Sequence, residues 1–416
     1  MHPANWSGNY SYRARGVHAP STLEELQELV SGLPRVRVLG SRHSFTAIAD
    51  SEELVTLERI GQDVVVDRDA LTVSLGGAVR YDRLAHELGA EGLALANLAS
   101  LPHITVAGAI STGSHGSGDG NGNLATSVAA LEIVTSDGNL LSIVRGDRDF
   151  EGVVVGLGAI GAIVRVTLDL LPAYELRQRV FTGLPWEQLF EHFDAITAAG
   201  YSVSIFSRWG EAAEQVWIKS LVTDEAETTA SDLFGAAAAS QEMHPITGLD
   251  PVNCTPQLGV PGPWFDRLPH FRMGFTPSSG AEIQSEYLVA RRHAVAAIKA
   301  IVRIGAKLRP LILVSEIRTV AADRLWMSPQ YGQDTVAIHF TWKPEQERVE
   351  RALVEVERAL APFEPRPHWG KLFLAQADQI GPLYRRLDEF AALLDRLDPR
   401  GAFRNDWLTS RVLGGR

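Results

Sequence analysis

A chain of 416 residues is too long for one comfortable core and implies two or three domains. With 50 Asp and Glu against 39 Lys and Arg, the net charge of −11 disfavours nucleic acid and anionic membrane surfaces as partners. The single cysteine, Cys254, excludes an intramolecular disulfide, and Met1–Ser21 has no apolar core of the signal-peptide kind. The longest apolar run, Val153–Val164, is too short to span a bilayer, so the chain reads as soluble and cytoplasmic.

In chain order, Ser21 and Glu24 resemble a capping box, after which Leu23, Leu26 and Val30 fall near helical spacing. Val36, Val38 and Leu39 read as a strand running into Gly40. Val64–Val66 and Leu71–Leu75 are two strands around a polar turn, and Tyr81–Leu88 is a short helix. Leu131–Val134 and Leu140–Val144 flank Ser136-Asp137-Gly138-Asn139, a strong hairpin signal. Between Ile104 and Asn123 lie six glycines and many small hydroxyl residues. A linker would lack the apolar anchors Ile104, Val106 and Ile110 and the isolated His115, so this segment reads as a backbone loop that approaches a ligand closely.

From about Glu175 the texture changes. A helix over Trp186–Ala198 precedes strands at Val203–Phe206 and Val216–Lys219, and a long irregular stretch follows from Asp224 to Ser279. Next come a strand at Ile283–Val289, a helix at Arg291–Ile304 with Gly305 as its stop, and strands at Leu311–Val320 and Thr335–Trp342. A helix at Glu345–Leu360 and a last one near Pro382–Leu397 complete an α+β pattern.

Val153-Val154-Val155, read as a strand, precedes Gly156-Leu157-Gly158-Ala159-Ile160-Gly161, which satisfies G-x-G-x-x-G. A dinucleotide fingerprint must open a helix, however, and Ile163, Arg165, Thr167 and Asp169 alternate with Val164, Val166, Leu168 and Leu170 as a strand does. The nicotinamide reading fails on that point. Two other glycine-rich turns, Gly40-Ser41-Arg42-His43-Ser44 and the segment around His115, each end an apolar segment and are suited to clamping an extended dinucleotide. On one strand Glu316 and Arg318 project to one side, as His339 and Thr341 do on the next, while Ile338 and Phe340 face away. Such pairs are often a solvent-wetted sheet face; two consecutive strands, followed by Lys371 after Trp369-Gly370, point to a site. No metal is expected, since His103 and His115 have no acidic or cysteine partner at ligand spacing.

VLGSRHSF at 38–45, NLASLPHITVAGAISTGSHGSG at 97–118, SEIRTV at 315–320 and RPHWGK at 366–371 together resemble the alditol (xylitol) oxidases of the vanillyl-alcohol-oxidase superfamily. The similarity covers nearly the whole chain from about Asn5. It implies an α+β, two-domain flavoprotein: an FAD-binding domain at 1–175, completed by about 376–416, and a mixed sheet-and-helix substrate cap at 176–375. It implies FAD bonded covalently to His43, with cofactor contacts from Leu39, Gly40, Ser41, Arg42, Ser44, Ser100, Thr105, Gly108, Thr112, Gly113, Ser114, His115 and Ile163. Arg42 can reach the diphosphate or point to solvent. Ser100, Glu316, Arg318, Thr341 and Lys371 are implied to contact the substrate, with His339 lining the same pocket.

The implied reaction moves a hydride from C1 of a polyol such as xylitol or sorbitol to flavin N5, with oxygen reduced to hydrogen peroxide. The chain is expected to work as a monomer. A polyol is uncharged and carries a hydroxyl on every carbon, so it needs many donors and acceptors: Glu316 accepts, while Arg318 and Lys371 donate. Arg318 and Lys371 stabilise charge growing on the C1 oxygen. His339 is the candidate proton acceptor by its reference pKa, with Lys371 the alternative if burial and Arg318 depress it. Two other readings stay open: an aldonolactone or other sugar as substrate of the same flavin, or a non-redox sugar-binding protein.

Overall fold

A computed structural model describes residues 4–222, 232–274 and 282–414. Part of the expected irregular stretch between Asp224 and Ser279 therefore lies outside the described residues. Three strands, Gly16–His18, Glu53–Val55 and Val36–Val38, make a parallel sheet. An antiparallel sheet of five runs in the order Val64–Asp67, Thr72–Gly76, Ala162–Asp169, Val128–Val134, Leu140–Val144. Ala162–Asp169 sits at its centre with Val166 and Leu168 fully buried, as the period-two pattern requires.

A ten-stranded sheet takes up the chain from Glu175 to Pro367, and its middle is the order Ala212–Leu221, Ser202–Ser207, Ile312–Val320, Thr335–Trp342, Ile283–Ala290. Helices Ala294–Leu308 and Gln346–Leu360 pack on each other; Val349, Leu353, Val356 and Leu360 repeat at helical spacing and are all fully buried. Phe340 and Trp342 face the apolar layer, leaving Ala337, His339 and Thr341 for the opposite face. Between Ile312 and Val314 the pairing slips by one residue: Ile312 stands opposite Trp342, and Val314 opposite Thr341. This bulge turns Glu316 and Arg318 onto the face of Thr341.

Several expected elements differ. The first helix is capped by Thr22, whose hydroxyl accepts from Glu25, so the cap lies one residue beyond Ser21. Val153 ends a short helix, Phe150–Val153, and Val153–Val155 is not a strand. The glycine-rich segment is not all loop: Val106–Ser111 is helical, because Val106, Ala109 and Ile110 bury one side. Trp186–Ala198 is two helices, broken at His192. Gly305 does not stop its helix, which runs to Leu308; a Cβ there would lie 2.6 Å from the Trp209 carbonyl, so the glycine serves close packing.

Candidate active site

A cavity of about 630 Å³ lies between these sheets. One wall is the turn that follows Val36–Val38. Gly40 and Gly108 are both needed, since a Cβ on either would lie 2.5 or 2.8 Å from the Thr105 hydroxyl, so the turn and the short helix close on the same threonine. Leu39, Gly40, Ser41, Arg42, His43, Ser44, Ser100, Thr105, Gly108, Thr112, Ser114, His115 and Ile163 all line the cavity. Gly113 does not; it turns the chain between Thr112 and Ser114 at φ +65°. Arg42 is exposed, in the left-handed conformation at φ 60°.

His43 is stacked on Trp6 with ring centres 4.5 Å apart, and its Nε2 lies 3.0 Å from Nε2 of His103. Its Nδ1 is buried and makes no hydrogen bond among the described residues. Burial and the neighbouring His103, against a smaller opposing pull from the Ser41 backbone, push the ring down to about 3, so it is a neutral nucleophile at physiological pH. A volume of this size, a cradle of small residues and an unpartnered ring nitrogen fit FAD with a bond to that nitrogen.

The opposite wall is the ten-stranded sheet. Its register sets Phe206 opposite Glu316, Glu316 opposite His339, and His339 opposite Glu286, one row across four strands with every side chain toward the cavity. The side chain of Glu286 is fully buried. It accepts from Arg318 Nη2 and from Lys371 Nζ, each at 2.6 Å, while His115 Nε2 stands 3.4 Å away. Lys371 Nζ is also 2.9 Å from His339 Nδ1, and His339 Nε2 is 3.0 Å from the Thr341 hydroxyl. Arg318 reaches Ser100 at 3.5 Å and faces Glu316 Oε2 at 3.5 Å through Nε, an N–H with no hydrogen-bond partner. The five residues expected at the substrate, and His339, thus share one cavity.

Electrostatics follow from burial and pairing. Burial alone would raise the Glu286 and Glu316 carboxyls, but Lys371 and Arg318 hold the first, and Arg318 and His270 the second, well below the carboxylate range. Burial and Lys371 push His339 down to about 4. Burial also lowers Lys371, against the pull of Glu286.

Sequence reasoning missed Glu286, His270, His368 and Trp6. Glu286 had one signal, a lone carboxylate just before the apolar run Tyr287–Ala290. The failed dinucleotide motif is also part of the site: Leu157, Gly158 and Gly161 line the cavity, and Arg37 Nη1 donates to the Leu157 carbonyl at 2.9 Å. An acidic partner for His115 does exist, since His115, Glu286 and His368 offer ligand atoms within 4.8 Å of one another. Arg318 and Lys371 already occupy that carboxylate and repel a cation, which makes the trio a poor metal site.

The buried histidines make stability depend on pH. His270 and His339 have folded values near 4, below the unfolded 6.5, so the unfolded chain binds more protons as pH falls. Their contribution is complete above 6.5 and lost as pH falls toward 4. Asp323, raised to about 6, opposes this as pH falls through 6, but with one proton against the two of the histidines. Thermal melts are expected to show the midpoint falling between pH 7 and pH 6; a flat or rising midpoint would mean these rings are not held neutral.

Comparison with known proteins bears on this arrangement. Residues 14–144 match the family model for an FAD binding domain, and residues 281–411 match D-arabinono-1,4-lactone oxidase. The chain is 47% identical over 415 residues to an alditol oxidase from a Streptomyces species, covering 99% of both chains. It is 28% identical to the L-gulono-1,4-lactone dehydrogenase of Mycobacterium tuberculosis, again over 99% of each. Among solved structures it is similar to a histidine-to-alanine variant of cholesterol oxidase from Brevibacterium sterolicum, with a TM-score of 0.79, 16% identity, and 99% and 96% of the two chains covered.

Proposed function

Because the chain belongs to the alditol oxidases, within the vanillyl-alcohol-oxidase type of FAD-dependent oxidoreductases, we propose that it oxidises C1 of xylitol, sorbitol or a related polyol to the aldehyde, with FAD bonded to His43. The observation that carries this is one cavity holding both the unpartnered His43 Nδ1 and the hydroxyl-matching set Glu316, Arg318, Thr341 and Lys371. When bound, FAD supplies the hydride acceptor and then passes the electron pair to oxygen.

The chain's own groups do the rest. Leu39, Gly40, Ser41, Ser44, Ser100, Thr105, Gly108, Thr112, Ser114, His115 and Ile163 cradle the cofactor, Gly113 turns the chain between two of them, and Arg42 stands at the exposed margin. Glu316 accepts from polyol hydroxyls, and Ser100 and Thr341 exchange hydrogen bonds with others. The free Nε–H of Arg318 and the ammonium of Lys371 stabilise charge growing on the C1 oxygen. His339 and Lys371, 2.9 Å apart, receive the hydroxyl proton as one titrating unit. Residues 1–175 and 376–416 form the FAD domain and 176–375 the cap, a division supported by the ten-stranded sheet spanning Glu175–Pro367. The net charge speaks against nucleic-acid and anionic-membrane partners, and the lone buried thiol of Cys254 fits a reducing, cytoplasmic setting.

Acid-precipitated protein is expected to stay yellow, and aerobic incubation with xylitol to yield xylose and hydrogen peroxide in equal amounts. The lactone-oxidase match over 281–411 favours a second reading, an aldonolactone substrate, which leaves xylitol untouched. Protein that stays colourless when FAD is supplied would leave only a sugar-binding role.

A further inference from the structure

Lys219 is 1% exposed and has no place in the reaction just described. It lies on Ala212–Leu221, two strands away from Glu316, and its ammonium donates to the carbonyls of Leu268 and Pro269 and to Nδ1 of His270 at 3.2 Å. Three N–H groups thus meet three acceptors. With Nδ1 accepting, the neutral His270 ring carries its proton on Nε2, which donates to Glu316 Oε1 at 2.7 Å. The ring has little freedom to turn: Phe206 and Trp217 meet it edge to face, each 5.3 Å between centres. Its backbone carbonyl accepts from the Thr255 N–H at 2.9 Å. Glu316 Oε1 is therefore spoken for, and Oε2 is the oxygen left to meet Arg318 and a hydroxyl group.

We propose that Lys219 and His270 are a positioning pair, acting through Glu316 to fix which carboxylate oxygen accepts from the substrate. A buried lysine is costly, and a methionine would fill the same space more cheaply. Burial lowers Lys219 to about 7 and, together with Lys219, lowers His270 to about 4, which keeps the imidazole neutral and its tautomer set by the lysine. The inference rests on the polyol reading of the site.

The test is a double-mutant cycle on the holoenzyme with xylitol as substrate. His270→Phe keeps a ring in the Phe206–Trp217 slot and removes the donor. It is expected to lower kcat/KM about 10- to 100-fold, the range of a hydrogen bond to a charged group. In a Glu316→Ala background, which leaves no side-chain acceptor for the His270 ring, the same change is expected to cost less than about 2-fold. Equal losses in both backgrounds, or none in the parent, overturn the proposal. Ring ¹⁵N shifts of His270 give a readout free of turnover: the Nε2–H tautomer in the parent, becoming mixed in Lys219→Met. An Nδ1–H tautomer in the parent overturns the pairing. A parent that ignores xylitol but shows the expected tautomer switch would sink the polyol reading and leave the positioning pair standing.

Discussion

Replacing Glu286 with glutamine is expected to cut kcat/KM by two to three orders of magnitude and to lower the melting midpoint. The change keeps shape and removes the one anion that Arg318 and Lys371 share, each at 2.6 Å. Arg318 is 5% exposed and is left with Glu316 Oε2, 3.5 Å from its Nε, while removing one partner of a buried ion pair costs about 3–5 kcal/mol. Lys371 is the weaker of the two cations, already lowered by burial, and without Glu286 it sheds its proton more readily. Its hydrogen bond to His339 then changes sense, and both groups that would steady the oxygen of the substrate are disturbed together. The pH at which activity appears is expected to move. Steady-state kinetics and melts of Glu286→Gln decide the matter: near-parental kcat/KM would show that the two cations hold their places without it.

His43→Ala is expected to abolish colour retained after acid precipitation. The substitution removes the buried Nδ1 that has no other partner, and with it the stacking on Trp6 at 4.5 Å. The cradle built on Gly40, Thr105 and Gly108 remains, so FAD is expected to bind reversibly. Loss of the electron-withdrawing ring substituent lowers the two-electron potential, and each ~30 mV shifts the equilibrium for hydride acceptance tenfold. Spectroelectrochemistry and stopped-flow reduction by xylitol report both effects. Colour that still travels with the precipitated chain would mean that the tether lies elsewhere.

Those two residues differ in how visible they were in the sequence. His43 sits in a short glycine-flanked turn after an apolar strand, a local pattern that can be read directly. Glu316 with Arg318, and His339 with Thr341, stand out because polar and apolar residues alternate on strands with only one apolar face. Glu286 lies on Ile283–Ala290, where three polar residues, Gln284, Ser285 and Glu286, are followed by the apolar run Tyr287–Ala290, so no sustained alternation marks it. His270 comes from irregular chain, where no period exists, and its meaning depends on Lys219 some fifty residues earlier. The helix Val106–Ser111 is too short for a periodic signal and contains Gly108. The break at His192 and the packing role of Gly305 are set by neighbours distant in sequence, which single-sequence periodicity does not register.

The bulge at Ile312–Val314 has a consequence for how the chain finds its native pairing. In a regular ladder Ile312, Val314, Glu316 and Arg318 would share a face, so keeping Ile312 opposite Trp342 would drive a carboxylate and a guanidinium into the apolar layer. Stranding two charges there costs several kcal/mol each, enough to empty that competing arrangement. The groups proposed to meet the substrate therefore also proofread the hairpin during folding, and neutral substitutions at Glu316 or Arg318 relax a check on assembly as well as altering the site.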